Sequence, residues 1–282
     1  GTGHAQHPLP GNTGRPGQGE WYRSIFMASR RTFLATMGAA ALGLSATPLA
    51  AVLQNPPGTA TGERRSGPPK ANEFVFARLR YNSGDWDYNS KVAANVLDAI
   101  VQYTTIPIYP EEVVVTPDSD ELLAFPFVFM TGHTLVRFTQ AERKNLARFV
   151  EHGGLLFSDD CNHDVNGLYA KSFESEMALA FPGRPLEKLP KTHDIFRAFF
   201  TFPDGPPQTS HELNGWGDDI VHEYVKGIAA PRAANDPRRG RLGVLYSNKD
   251  YGCEWDYDWR NKRFRSEDNT KFAVNLAVYV MT

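Results

Sequence analysis

The chain has 282 residues, 41% of them hydrophobic and 12% aromatic, with a net charge of −2. That is enough apolar material for one large domain or two small ones, and too much for a disordered protein. The near-balanced charge argues against a nucleic-acid binder held by phosphate neutralisation, and 2 cysteines exclude a four-thiolate zinc centre while permitting one disulfide.

Residues 1–26 are rich in Gly, Pro, His and Gln and show no apolar period, so they read as a disordered upstream extension, with Met27 a more natural start. Residues 27–53 read as a twin-arginine export signal: Arg30-Arg31, then Phe33, then an uncharged Ala/Gly-rich run to Leu53. The alternative is a single membrane helix, since the run is long enough to span a bilayer. Its Ala, Gly, Ser, Thr and Pro48 make it a weak stop-transfer segment. The expected partner is the twin-arginine export machinery, and the expected location is periplasmic or otherwise extracytoplasmic. No clean small-x-small cleavage site surrounds Pro48–Ala51, which leaves an uncleaved anchor open. Residues 54–72 form a Pro/Gly-rich linker, and residues 73–282 a single domain.

Within that domain strands and helices alternate. Phe74 to Tyr81 alternates and is rich in strand formers. Val92, Ala93, Val96, Leu97, Ile100 and Val101 predict a helix over 90–103. Val113–Val115 and Phe125–Met130 predict strands. Thr139 and Glu142 form a capping box, and Gly153-Gly154 stops the helix that follows. Leu155–Ser158 is the next strand, and Phe173, Met177 and Phe181 mark another helix. Residues 203–240, rich in Pro, Gly, Asp and Arg, read as a long insertion over the sheet edge. Leu242–Ser247 is a late strand, and Phe272–Val280 a final helix. Trp255, Tyr257 and Trp259 alternate with acidic residues, as in a strand with one packed face or a rim for a ligand.

This alternation predicts an α/β fold with a mostly parallel sheet covered on both faces. Ligands of such sheets bind beyond the carboxyl ends of the strands. Four strand-end turns therefore matter: Asn82–Trp86, Thr131–His133, Ser158–Asp164 and Asn248–Trp255. They offer Asp85, Trp86, His133, Cys161, Cys253 and Trp255 as ligand-binding candidates. Asp85 with Trp86 suits hydrogen bonding and stacking on a ligand such as a sugar. Asp159, Asp160, His163 and His193 are suitable donors for a divalent metal, the expected cofactor if there is one. The same Asp159, Asp160 and His193 would be the acids and bases of a hydrolase. Against both stands a plainer role, in which the carboxylates cap turns and His193 tethers a loop.

Several short motifs occur in fixed order: Phe76-Ala77-Arg78-Leu79-x-Tyr81 with Gly84-Asp85-Trp86, Phe125-Pro126-Phe127 with Thr131-Gly132-His133, Gly153 to Phe157 with Asp159-Asp160, and His193-Asp194-Ile195-Phe196. Together they resemble the bacterial domain-of-unknown-function family 4159. The resemblance implies a class I glutamine amidotransferase-like fold, a flavodoxin-like three-layer sandwich, and no established reaction. In that family an aromatic residue often follows the Asp-Asp pair, where this chain has Cys161. The amidotransferase likeness makes Cys161 a nucleophile to consider, with His163, His193 or His133 as its base. Asp160 and Asn162 flank it in place of the small residues of a nucleophile elbow, and two carboxylates disfavour its thiolate. A Cys161–Cys253 disulfide and two buried free thiols are the other readings. The functional expectation is an exported protein holding a small ligand or metal at the sheet's carboxyl edge, with a hydrolase or a protein-interaction module as alternatives.

Overall fold

The computed structural model describes residues 67–214, 221–231, 240–256 and 267–282. The twin-arginine residues, the preceding extension, most of the linker, and Tyr257 and Trp259 lie outside them. Seven strands run β1 (Ala77–Leu79), β2 (Val113–Val115), β3 (Phe127–Gly132), β4 (Leu155–Asp160), β5 (Glu187–Lys188), β6 (Lys226–Ala229) and β7 (Leu242–Ser247). The helices are α1 (Val92–Tyr103), α2 (Gln140–Glu151), α3 (Leu168–Ala180), α4 (Ser210–Asn214), α5 (Tyr251–Asp256) and α6 (Glu267–Met281).

One sheet carries all seven strands in the order β2-β1-β3-β4-β7-β6-β5. The first five positions are parallel, while β6 pairs antiparallel with β7, and β5 with β6. The parallel part has the flavodoxin-like winding, in which the chain reverses its direction of travel between β1 and β3. Strand β6 lies in the stretch read from the sequence as a long insertion, and β5 in a stretch for which the sequence suggested no element. β5 has two residues, and Lys226-Gly227-Ile228-Ala229 is too short and mixed to show a period.

Strand alternation sends successive side chains to opposite faces and creates two cores. Val128, Met130, Leu156, Val244 and Tyr246 pack on one face with Leu146, Phe149, Tyr169, Phe173 and Met177 of α2 and α3. Phe127, Phe129, Leu155, Phe157 and Leu245 pack on the other with α1, α5 and α6, through Val92, Leu97, Trp255, Phe272 and Leu276. The result is three layers, helix on sheet on helix.

The local signals act as their chemistry requires. Thr139 accepts from the Glu142 amide and Glu142 accepts from the Thr139 amide, closing the capping box of α2. Gly153, at φ +89°, then ends the helix in a backbone conformation that a side chain would strain. Two sequence expectations change. Strand β1 is only Ala77–Leu79, with Phe74 bridging to Ile108 ahead of it. Trp255 lies in helix α5, not in a strand. Its ring is 3% exposed, packs on Phe129 and Phe157, and donates through its indole to the Asn269 carbonyl. Trp255 is a core residue of the α5–α6 face. No helix among the described residues is long and apolar enough to cross a membrane.

Candidate functional site

The loops after β1 and β3 meet at the point where the winding reverses, the usual ligand crevice of this architecture. Asp85, from the loop after β1, grips His133, one residue past β3, with both carboxylate oxygens. Oδ1 accepts from the His133 amide at 2.9 Å, and Oδ2 lies 2.7 Å from Nδ1 of the ring. Thr134 donates to Oδ1 from its hydroxyl. The Tyr88 ring meets the imidazole edge-on at 4.2 Å, and Asn162 donates to the His133 carbonyl. The pair is accessible: the His133 and Asp85 side chains are 29% and 34% exposed, and Tyr88 is 45% exposed.

Burial pushes the Asp85 carboxyl up, but the hydrogen bonds from the His133 amide and ring outweigh it and hold the group below its usual value. The ionised carboxylate therefore adds stability above the ordinary Asp range, and that stability is lost as pH falls through and below it. A carboxylate on Nδ1 also selects the tautomer that leaves Nε2 as an acceptor. Gly132 makes this approach feasible. A Cβ there would lie 2.3 Å from the Tyr81 hydroxyl and 2.8 Å from Asp85 Oδ1. Tyr81 is 1% exposed and donates to the Thr131 carbonyl, so it has little freedom to withdraw. Gly132→Ala should therefore displace Asp85 from His133. The expected readout is loss of the downfield Nδ1–H resonance of His133 in the NMR spectrum of an otherwise folded protein.

The Asp159–Asp160 pair is divided by the pleat. Strand β4 runs through both residues rather than stopping before them, so their side chains leave on opposite faces. Asp159 turns toward α5, where the Gly252 amide donates to Oδ2 at 2.6 Å. It is fully buried, and burial together with the nearby Asp250 charge raises its pKa well above the usual value. Asp160 turns the other way. It accepts from the Asn162 amide and from the Tyr246 hydroxyl, and burial lifts it to about 6. Neither carboxylate reaches solvent.

His193 is at the other end of the sheet. Its Nδ1 accepts from the Ile195 amide, capping a short 3₁₀ turn, and its ring packs on Tyr279. Tyr279 accepts from the Leu242 amide at the start of β7, whereas Ser247 at the end of β7 is the residue beside Asp159. Five residues of strand, about 16 Å, separate the two ends. The structure therefore does not bring His193 to Asp159 or Asp160. His163 is at the carboxyl edge, with Nε2 3.1 Å from Asp250 Oδ2 and its ring stacked on His211 at 3.7 Å. Trp86 is half-buried against the α2–α3 core.

Cys161 and Cys253 come together without a disulfide. Thr131 Oγ1 lies 3.0 Å from the Cys161 sulfur, and Asn89 bridges the two thiols. The hydrogen bond to Cys253 and burial both push the Cys161 thiol well up, which disfavours a nucleophilic thiolate. Tyr88 and Asn89 escaped the sequence reading, and Asp250 stood in its Asn248–Trp255 turn without being singled out. Asn89 and Asp250 both have positive φ, a conformation that Asn and Asp tolerate best among non-glycine residues, but no local motif announces it.

The Domain of unknown function (DUF4159) family model matches residues 75–281. The chain belongs to this family. A comparison with the curated proteins finds no match to it. The matched stretch contains every strand of the sheet, so the DUF4159 domain carries the whole carboxyl edge described above.

Proposed function

We propose that this DUF4159 protein is exported through the twin-arginine route and binds a small polyhydroxylated ligand, of the saccharide class, in the crevice between the loops after β1 and β3. The observation that carries the reading is the Asp85–His133 pair. Two loops from either side of the winding reversal lock together through both oxygens of one carboxylate, and the pair stays open to solvent. A charged acceptor, an oriented imidazole and the exposed ring of Tyr88 are the combination that hydroxyl-rich ligands use, with hydrogen bonds at the edge and an aromatic platform at the face. The class I glutamine amidotransferase relation stays part of this proposal at the level of architecture only. The raised thiol of Cys161 and its 5% exposure favour binding over amide hydrolysis.

A titration of the purified chain with a panel of mono- and disaccharides, beside carboxylates and nucleotides as controls, tests this. At least one saccharide should raise the melting temperature, and His133→Ala should weaken its binding by about tenfold, roughly the value of one hydrogen bond. A panel in which no saccharide binds, or in which His133→Ala binds equally well, overturns it. The same assay covers a hydrolase reading, which the geometry supports at His133 rather than at Asp159, Asp160 and His193. An imidazole oriented by a carboxylate can take a proton from water on Nε2, and slow cleavage of a bound saccharide lost in Asp85→Asn would show it. Export has its own test: the Arg30→Lys, Arg31→Lys double variant should accumulate in the cytoplasm of a bacterium that exports the unaltered chain.

A further inference from the structure

Behind the Asp85–His133 pair the carboxyl edge holds a second group of side chains. The sulfurs of Cys161 and Cys253 and a carboxylate oxygen of Asp250 all lie within 4.8 Å of one another. They arrive from separate places: the residue after β4, the residue before α5, and the first turn of α5. Cys161 and Asp250 are buried and Cys253 is half-buried. Asn89 holds both sulfurs, donating to Cys161 at 3.4 Å and accepting from Cys253 at 3.5 Å. His163 Nε2 lies 3.1 Å from Oδ2 of the Asp250 carboxylate.

The backbone is bent to make this meeting. Asn89, His163 and Asp250, at φ +61°, +51° and +61°, are the non-glycine residues with positive φ among the described residues, and all three touch this group. Each such residue costs of order 1 kcal/mol, and such strain concentrates where function requires a geometry.

We propose that Cys161, Cys253 and Asp250 hold one soft divalent cation of the zinc class. Two sulfurs and one carboxylate oxygen are a donor set for zinc, and a poor one for magnesium or calcium, which take oxygen. Tetrahedral zinc–sulfur bonds of about 2.3 Å place two sulfurs roughly 3.8 Å apart, inside the observed spread. On binding, each thiol gives its proton to solvent as its sulfur–metal bond forms, so two protons leave per ion. His163 acts as a positioning residue on the Asp250 carboxylate. The set differs from the Asp159, Asp160, His163 and His193 grouping expected from the sequence, and it uses neither Asp85 nor His133.

The test is a Co²⁺ titration of the full chain, purified under a non-thiol reductant, followed by absorption and then by Zn²⁺ competition. One equivalent of Co²⁺ should produce a thiolate-to-cobalt charge-transfer band with tetrahedral d–d bands, and Zn²⁺ should displace it. Cys253→Ser should weaken binding on the order of a hundredfold and Asp250→Asn about tenfold, with circular dichroism confirming that both variants fold. His133→Ala should bind Co²⁺ as the unaltered chain does, which separates this site from the saccharide reading. Folded, reduced protein that takes up no Co²⁺ or Zn²⁺ overturns the proposal. So does equal binding by Cys253→Ser, or recovery of the native protein as a metal-free Cys161–Cys253 disulfide.

Discussion

Arg78→Met is expected to destabilise the domain by about 2–4 kcal/mol, since it strands two backbone carbonyls and a carboxylate that is 26% exposed. Arg78 projects from β1 into the α1 face of the sheet and is 1% exposed. Its Nε donates to Glu112 at 2.6 Å, while its two terminal nitrogens donate to the carbonyls of Tyr88 and Asn89 at 2.8 and 2.9 Å. The guanidinium lies 5.5 Å from the centre of the Phe129 ring. Removing the fork leaves a carboxylate and two carbonyls without their donor at once. It also releases the segment that presses Tyr88 on His133 and brings Asn89 to the two thiols, so ligand and cation binding should both weaken. Arg78→Lys should recover less than half of the loss, because a single ammonium cannot reach three acceptors in the plane of a guanidinium. Urea denaturation with an unchanged m-value measures this. A loss of less than about 1 kcal/mol would mean that water replaces the guanidinium and that the segment is held by other contacts.

Lys249→Met is expected to cost a comparable amount, for a reason that a second substitution can isolate. The Lys249 side chain is 1% exposed, and its ammonium donates to Glu212 at 2.6 Å and to the His222 carbonyl at 3.2 Å. Burial pulls the ammonium pKa down while Glu212 pulls it back up, leaving it below its ordinary value. Taking the cation away strands the Glu212 carboxylate, which is only 12% exposed. Glu212 also accepts from the amide and hydroxyl of Thr209 at the start of α4. Lys249→Met with Glu212→Gln keeps an acceptor for Thr209 and removes the stranded charge, so the double variant should regain more than half of the stability lost by the single one. If the double variant is no more stable than Lys249→Met alone, the damage lies in the lost stem packing and the unpaired His222 carbonyl, not in the carboxylate.

Much of the architecture was visible in the chain because it depends on local chemistry. The α2 start at Thr139 and Glu142, its stop at Gly153, and the apolar runs of β3, β4 and β7 each show within one short window. The parallel winding follows from strands alternating with helices. What escaped was short or context-dependent. Strand β6 is a strand because β7 offers it a free edge, not because Lys226-Gly227-Ile228-Ala229 has a pattern. Trp255 was placed on a strand because acidic and aromatic residues alternate there, whereas a helix turns it onto Phe157 and Phe129. The candidate site divides in the same way. Asp85 and His133 were legible as strand-end residues, and the structure shows that they bind one another. Asp159 and Asp160 were read as a pair because they adjoin in sequence, and the pleat of β4 sends them apart.

From the residues alone came the family resemblance, the α/β winding, and the rim on which polar side chains would gather. These depend on composition, spacing and period, which a linear string contains. Folding alone determined which rim residues touch. Asp250 and Cys253 stand far along the chain from Cys161, and Asn89 far before it, yet their atoms meet because β4 and β7 pair in register and α5 caps their ends. Proximity of that kind is a property of packing, and no window of sequence records it.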